Sequence, residues 1–257
     1  MNHVEHNTAN GIGFITLNRP EKRNALSAEL IAELKQAFVA LEKDDRARVI
    51  VLHAKGEVFC AGADLAYLKQ LQGFSEKENL EDSRMLKELL LMIYTLKKVV
   101  IAQVQGHAVA GGCGLASVCD FVFTVPEAKF GYTEVRIGFV PAIVMVFLLR
   151  KIGEAKVKQL LLGGELVSAE EAFQLGIVTK VVSREDLESE VISFAQNLLV
   201  SNSVNSMMIT KQMIAQVQSM PLAEALEYAA EMNARTRTSD DFKKGTSAFL
   251  GKKKIVW

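Results

Sequence analysis

Three short segments carry residues whose types and spacing suit the stabilisation of a developing oxyanion. The first is Phe59-Cys60-Ala61-Gly62-Ala63-Asp64-Leu65, a run of small residues after an apolar stretch. The second, residues 106–114, contains Gly106, Gly111, Gly112 and Gly114 and leads from another apolar stretch into a helical pattern. Small residues let a ligand approach the backbone closely. At a helix start the free N–H groups point outward, where the dipole favours negative charge. Two such loops can aim two backbone donors at one oxygen. Either loop alone is an ordinary tight turn, since neither is a P-loop or a complete dinucleotide fingerprint. The third segment, residues 129–141, sets one acid, Glu134, among apolar residues, where a surface carboxylate is the commoner reading.

Other chemistries find little support. His3, His6, His53 and His107 have no metal spacing, and the first two fall in a terminus expected to be mobile. No Gly-x-Ser-x-Gly elbow occurs. Cys60, Cys113 and Cys119 are an odd number without ligand spacing and read as reduced thiols. Cys113 and Cys119 suit packing on an apolar helix. Asp64 suits a helix N-cap, and Asp120, between a helix and a strand, reads as structural. The 30 basic residues balance the 30 acidic ones, which disfavours a nucleic-acid partner. The N-terminus has no signal core and no stretch reaches ~18 uninterrupted apolar residues. The expectation is a soluble cytoplasmic protein with no membrane or metal partner.

The elements that must position these segments follow from periodicity. Residues 13–17 read as a strand, followed by the polar turn Asn18-Arg19-Pro20-Glu21-Lys22-Arg23-Asn24. Ser27 then caps a helix with Leu30, Ile31, Leu34, Phe38 and Leu41 on one stripe. Val49-Ile50-Val51-Leu52 and residues 99–104 read as strands buried on both faces. Residues 75–97 are helical, 112–119 form a short helix and 121–123 a strand. Helical spacing then dominates at 154–162, 168–175, 185–199 and 222–236, with Ser168 and Glu171 in a capping-box pattern. Leu222, Ala223, Ala225, Leu226, Ala229 and Met232 form an apolar face that needs a partner. The pattern predicts an α/β core over residues 1–199 and a helical region over 200–257.

Taken in order, Asn18-Arg19-Pro20-Glu21-Lys22-Arg23-Asn24-Ala25-Leu26, the 59–65 loop, Gly111-Gly112-Cys113 with Cys119-Asp120, and Phe130-Gly131-Tyr132-Thr133-Glu134 resemble the enoyl-CoA hydratase/isomerase (crotonase) superfamily. The resemblance runs from about residue 10 to the C-terminus. It implies a spiral of ββα units with a C-terminal helical region, assembled as a trimer or a dimer of trimers. The implied partner is an acyl-CoA thioester, with CoA part of the substrate and no separate cofactor. The backbone N–H groups of Ala63 and Gly111 would grip the thioester oxygen, and Glu134 would be the catalytic acid or base. Lys22, Arg23, Ala25, Ala61 and Leu65 would meet CoA, and Gly114 and Tyr132 would line the substrate pocket.

Two departures from the family pattern matter. The first of the two hydratase glutamates falls at Gly114, which the sequence reads as open space beside the oxyanion donor. The usual Gly-rich stretch after the proline is replaced by Pro141-Ala142-Ile143-Val144-Met145-Val146-Phe147-Leu148, a more apolar wall. Three readings follow. One is a hydratase with a single glutamate, similar to relatives acting on branched glutaconyl-CoA thioesters such as 3-methylglutaconyl-CoA in leucine breakdown. Another is a Δ3-Δ2 enoyl-CoA isomerase using Glu134 alone. The third is an idle acyl-CoA-binding or RNA-associated member.

Overall fold

In the computed structural model, which describes residues 2–255 and 257, the two apolar runs become the centre of a sheet. Its strands are β1 (Val4–Ala9), β2 (Ile12–Leu17), β3 (Val49–Ala54), β4 (Val99–Val104), β6 (Phe121–Thr124) and β9 (Lys180–Val181), in the order β1-β2-β3-β4-β6-β9. The β1–β2 pair is a hairpin, and every later neighbour is parallel. β3 and β4 sit in the middle, covered on both faces, which is why they read as continuous apolar runs. A second sheet joins β5 (Ala108–Val109), β7 (Lys129–Gly131) and β8 (Leu166–Ser168). The expected α/β spiral is the architecture found.

Helices follow the strands. α1 (Ala28–Lys43) starts at Ser27, whose hydroxyl accepts the Leu30 N–H at 3.3 Å, and buries the predicted stripe. α2 (Leu65–Leu71) and α3 (Glu76–Thr95) come after β3. α4 (Gly111–Ser117) is almost wholly buried. α5 (Ala142–Ile152), α6 (Glu154–Gly163) and α7 (Ala169–Leu175) follow the 3-10 turn Glu134–Ile137, and both halves of the capping box at Ser168 and Glu171 form. α8 (Leu187–Ser201) packs on the large sheet, and α9 (Val204–Val217), α10 (Leu222–Thr236) and α11 (Asp240–Leu250) complete the chain. No described residue of α10 or α11 is buried, so Leu222, Leu226 and Phe249 are uncovered within one chain.

One expectation fails at the start of the chain. His3 is not in a loose tail and His6 lies within β1. The His3 and Val4 N–H groups donate to Glu33 Oε2 at 2.7 and 2.9 Å, and His3 O accepts from Asn18 N–H at 2.7 Å. An edge strand is held by backbone bonds to its neighbour, and the polar sequence of β1 gives no apolar signal for it. Among the described residues no helix is long and apolar enough to cross a membrane.

Candidate active site

The polar turn after β2 fixes the first small-residue loop. Asn24 is fully buried at φ +52°, and its amide donates to Lys55 O at 2.9 Å and Val58 O at 2.8 Å. Its Oδ1 accepts from the Arg19 N–H at 2.9 Å. Ala61 N–H then donates to Arg23 O at 3.1 Å, Leu26 N–H to Gly62 O at 2.7 Å, and Asp64 N–H to Leu26 O at 2.9 Å. The Asp64 carboxylate caps α2 by accepting from Ala66 and Tyr67, and pairs with Arg19 Nη1 at 3.0 Å. Burial alone would push this carboxyl up, but the two N–H donors and the Arg19 and Lys22 charges hold it below its ordinary value. Ala63 stands between these anchored neighbours, exposed, and its N–H has no acceptor among the described residues.

The second loop lies against the first. Cys60 N–H donates to His107 O at 3.2 Å and Val109 N–H to Cys60 O at 3.0 Å. Gly62 has φ +88°, and a Cβ there would stand 2.9 Å from Ala110 Cβ and 3.0 Å from Val109 O, so both conformation and contact require glycine. Ala110 adopts φ +50°, ψ −126°, a strained conformation for a residue with a side chain. It is held there by its N–H bond to Gly131 O at 2.8 Å and by Gly114 N–H donating to its carbonyl at 3.0 Å. That turn directs the chain into α4, whose first residue is Gly111. The Gly111 N–H also has no acceptor among the described residues. Leu26 serves both loops: it bridges to Ala63, and its Cδ1 lies 3.0 Å from where a Gly111 Cβ would be. Two unpaired backbone donors therefore sit on abutting loops, as an oxyanion site requires.

Pairing of β5 with β7 brings the third segment alongside. Glu134, only 9% exposed, opens the 3-10 turn, and its carbonyl accepts from Phe139 N–H at 3.0 Å. Its Oε2 is buried with no hydrogen-bond partner among the described residues. Burial pushes its carboxyl above the ordinary glutamate range. Tyr132, two residues before Glu134, reaches Ser117 Oγ of α4 at 3.2 Å, which holds this segment against that helix. A desolvated acid beside two free donors has the makings of a proton-transfer site.

The other expected residues divide. Lys22 and Arg23 are exposed and Ala61 is partly so, all next to the Ala63 loop. Ala25 does not offer a contact surface: it is buried, and its carbonyl accepts from Arg19 Nη1 at 3.3 Å. The Leu65 side chain lies outside the described residues. Tyr132, expected in the substrate pocket, is fully buried and presents no surface to a ligand in this structure. Gly114 leaves no open space either. A methyl built there overlaps Val144 Cγ1 from α5, with Val144 Cβ at 3.4 Å and Leu90 Cδ1 at 3.9 Å. The apolar stretch 141–148 thus fills the slot from another helix. Sequence reasoning missed Val144, Ala110 and the Arg19–Asp64 pair. Arg19 and Asp64 were visible as oppositely charged motif residues and Val144 as part of the apolar wall at 141–148, whereas nothing local marks Ala110. Cys60, Cys113 and Cys119 are all buried, and burial pushes their thiols up to about 12, about 11 and about 12, which suits packing and not nucleophilic attack.

The chain is similar to known proteins over nearly its whole length. Residues 7–257 match the family model described as enoyl-CoA hydratase/isomerase. A Thermus thermophilus protein carrying the provisional name enoyl-CoA hydratase is 41% identical over 242 residues, 94% of this chain and 95% of that protein. The mitochondrial enoyl-CoA hydratase of Pongo abelii is 35% identical over 246 residues, 95% of this chain and 83% of its own. The crystal structure of an enoyl-CoA hydratase from Mycobacterium smegmatis superposes with a TM-score of 0.91 at 30% identity, covering 99% of this chain and 98% of that one.

Proposed function

We propose, on the premise that the chain belongs to the enoyl-CoA hydratase/isomerase family, that it adds water across the double bond of an enoyl-CoA thioester. The observation that carries the reading is the buried, unpartnered Oε2 of Glu134 beside two loops with free N–H groups. In this mechanism Ala63 and Gly111 N–H hold the thioester oxygen. Glu134 takes a proton from water as the water oxygen bonds to C3. Electron density moves onto the thioester oxygen as an enolate, and Glu134 returns the proton to C2. Charge forms where the donors already point, and losing one such donor costs about 2.7–4 kcal/mol of barrier in enzymes of this kind. Lys22 and Arg23 would meet CoA phosphates as charged donors. CoA enters as part of the substrate.

The finer assignment is a branched glutaconyl-CoA thioester, with 3-methylglutaconyl-CoA and leucine breakdown as the leading case. It rests on the sequence of residues 133–141, since the space at Gly114 that would have held the substrate's own carboxylate is taken by Val144. That same filling favours a second reading. With one carboxylate in the site, Glu134 can move a proton from C2 to C4 of a 3-enoyl-CoA, which is isomerisation. Assembly as a trimer or dimer of trimers, covering α10 and α11, and a cytoplasmic location complete the proposal.

The test is mass spectrometry of the protein with 3-methylglutaconyl-CoA, crotonyl-CoA and a 3-enoyl-CoA, alongside Glu134→Gln. A gain of one water, lost in the variant, supports hydration. A shifted double bond without mass change replaces it with isomerisation. No turnover of any of the three, with retained thioester binding, supports the idle reading.

A further inference from the structure

From the hydrogen bonds around the Tyr132 hydroxyl we infer that Tyr132 is a positioning residue, locking Glu134 in register with the helix that carries the Gly111 donor. Tyr132 is the largest side chain in the fully buried set. Its hydroxyl lies 3.2 Å from Ser117 Oγ, within hydrogen-bond reach. Ser117 belongs to α4 and is buried. Ser117 Oγ donates in turn to Gly114 O at 3.1 Å. Lys151 from α5 fixes the far end of the same helix, donating to Ser117 O at 2.7 Å and Cys119 O at 3.0 Å.

A phenylalanine would fill the same volume without bringing a hydroxyl into a dry core, where an unpaired one costs several kcal/mol. What the hydroxyl adds is direction. Glu134 is two residues beyond Tyr132, and Gly111 opens the helix that ends at Ser117. Backbone bonds already tie the two segments at the start of α4, through Ala110 N–H and Gly131 O. The Tyr132 hydroxyl supplies the second tie, about two turns further along at Ser117, and two ties prevent rotation where one permits it. Beyond the 3-10 turn, Phe139 N–H holds Glu134 from the other side. The relay thus fixes the segment that carries Glu134 against the helix that carries the Gly111 donor.

The inference rests on Glu134 and Gly111 acting as proposed above. The experiment is steady-state kinetics on the best enoyl-CoA of the panel, with Tyr132→Phe, Ser117→Ala, their combination, and Tyr132→Phe in the Glu134→Gln background. Misplacing a reacting group by about 1 Å can cost about a hundredfold in rate. The expected result is a kcat lowered about tenfold to a hundredfold by either single change, with KM within about twofold. The pair loses no more than one of them, and Tyr132→Phe costs nothing further once Glu134 is Gln. An unchanged kcat overturns the inference. So does an equal fall in both backgrounds, or a loss confined to KM and thermal stability. A wild-type protein without turnover, or a fully active Glu134→Gln, overturns the underlying reading instead.

Discussion

Gly114→Ala should change the sign of its effect when Val144 is cut back. In the wild-type background the new methyl overlaps Val144 Cγ1. Overpacking of this kind costs about 1–3 kcal/mol. Alanine in place of glycine inside α4 returns about 1 kcal/mol of helix propensity. The net is a loss of about 1 kcal/mol. Val144→Ala alone removes two methyl groups from a position only 4% exposed, about 1.6 kcal/mol of transfer at about 0.8 per group, with a cavity cost added. Once that cavity exists, the methyl added by Gly114→Ala has room, with Leu90 Cδ1 at an ordinary 3.9 Å. It keeps the propensity gain and is itself buried, so Gly114→Ala now stabilises by about 1–2 kcal/mol. The coupling is therefore about 2–3 kcal/mol, within the range for residues in contact. Urea midpoints of the four proteins, measured at one protein concentration, would read it. A Gly114→Ala effect of the same sign and size in both backgrounds would refute the packing argument. With it would fall the claim that a second carboxylate is excluded at 114 by Val144.

Other outcomes follow from the same structure. Glu134→Gln should lower kcat about 10²–10⁴-fold in the mass-spectrometric assay, the usual worth of a positioned acid or base. The same change should raise stability near neutral pH. Burial lifts the Glu134 carboxyl in the folded protein, so its contribution to folding is complete below the unfolded value and is lost as pH rises through the raised folded one. The stability gap between Glu134→Gln and wild type should therefore open as pH rises above about 4, and denaturation curves showing a constant gap would contradict this. Asp64→Asn should keep the α2 cap and cost less than Asp64→Ala, which loses a cap worth about 0.5–2 kcal/mol and strands Arg19; equal thermal shifts would speak against the cap. Cys60, Cys113 and Cys119 should resist a thiol-reactive chromophore in the native state and react in denaturant.

Much of this protein is legible locally. Ser27, Ser168 and Asp64 announce helix starts because a side-chain oxygen beside the first turn has few other uses. The runs at 49–54 and 99–104 announce buried parallel strands by having no polar face. The small residues at 59–65 and 106–114 announce loops whose backbones approach closely, as the structure shows them doing with each other. From these the α/β class could be named, while the proposed roles of Ala63, Gly111 and Glu134 came from the family resemblance of the motifs. β1 could not be seen, because its residues alternate without an apolar face and β2 supplies its bonds. Nor could the strain at Ala110, which Gly131 and Gly114 impose through backbone bonds. Reading Gly114 as open space, and Tyr132 as a pocket residue, failed for one shared reason. A glycine specifies the absence of a side chain, but what occupies the space depends on where a helix thirty residues away comes to rest. A tyrosine's ring can line a pocket or lie behind one, and only the packing of β7 against α4 chose between them. The sequence by itself determined which residues could do the chemistry, through short-range stereochemistry. Tertiary packing decided what fills the space beside Gly114, because the interior is close-packed and Val144 from another helix already occupies that slot.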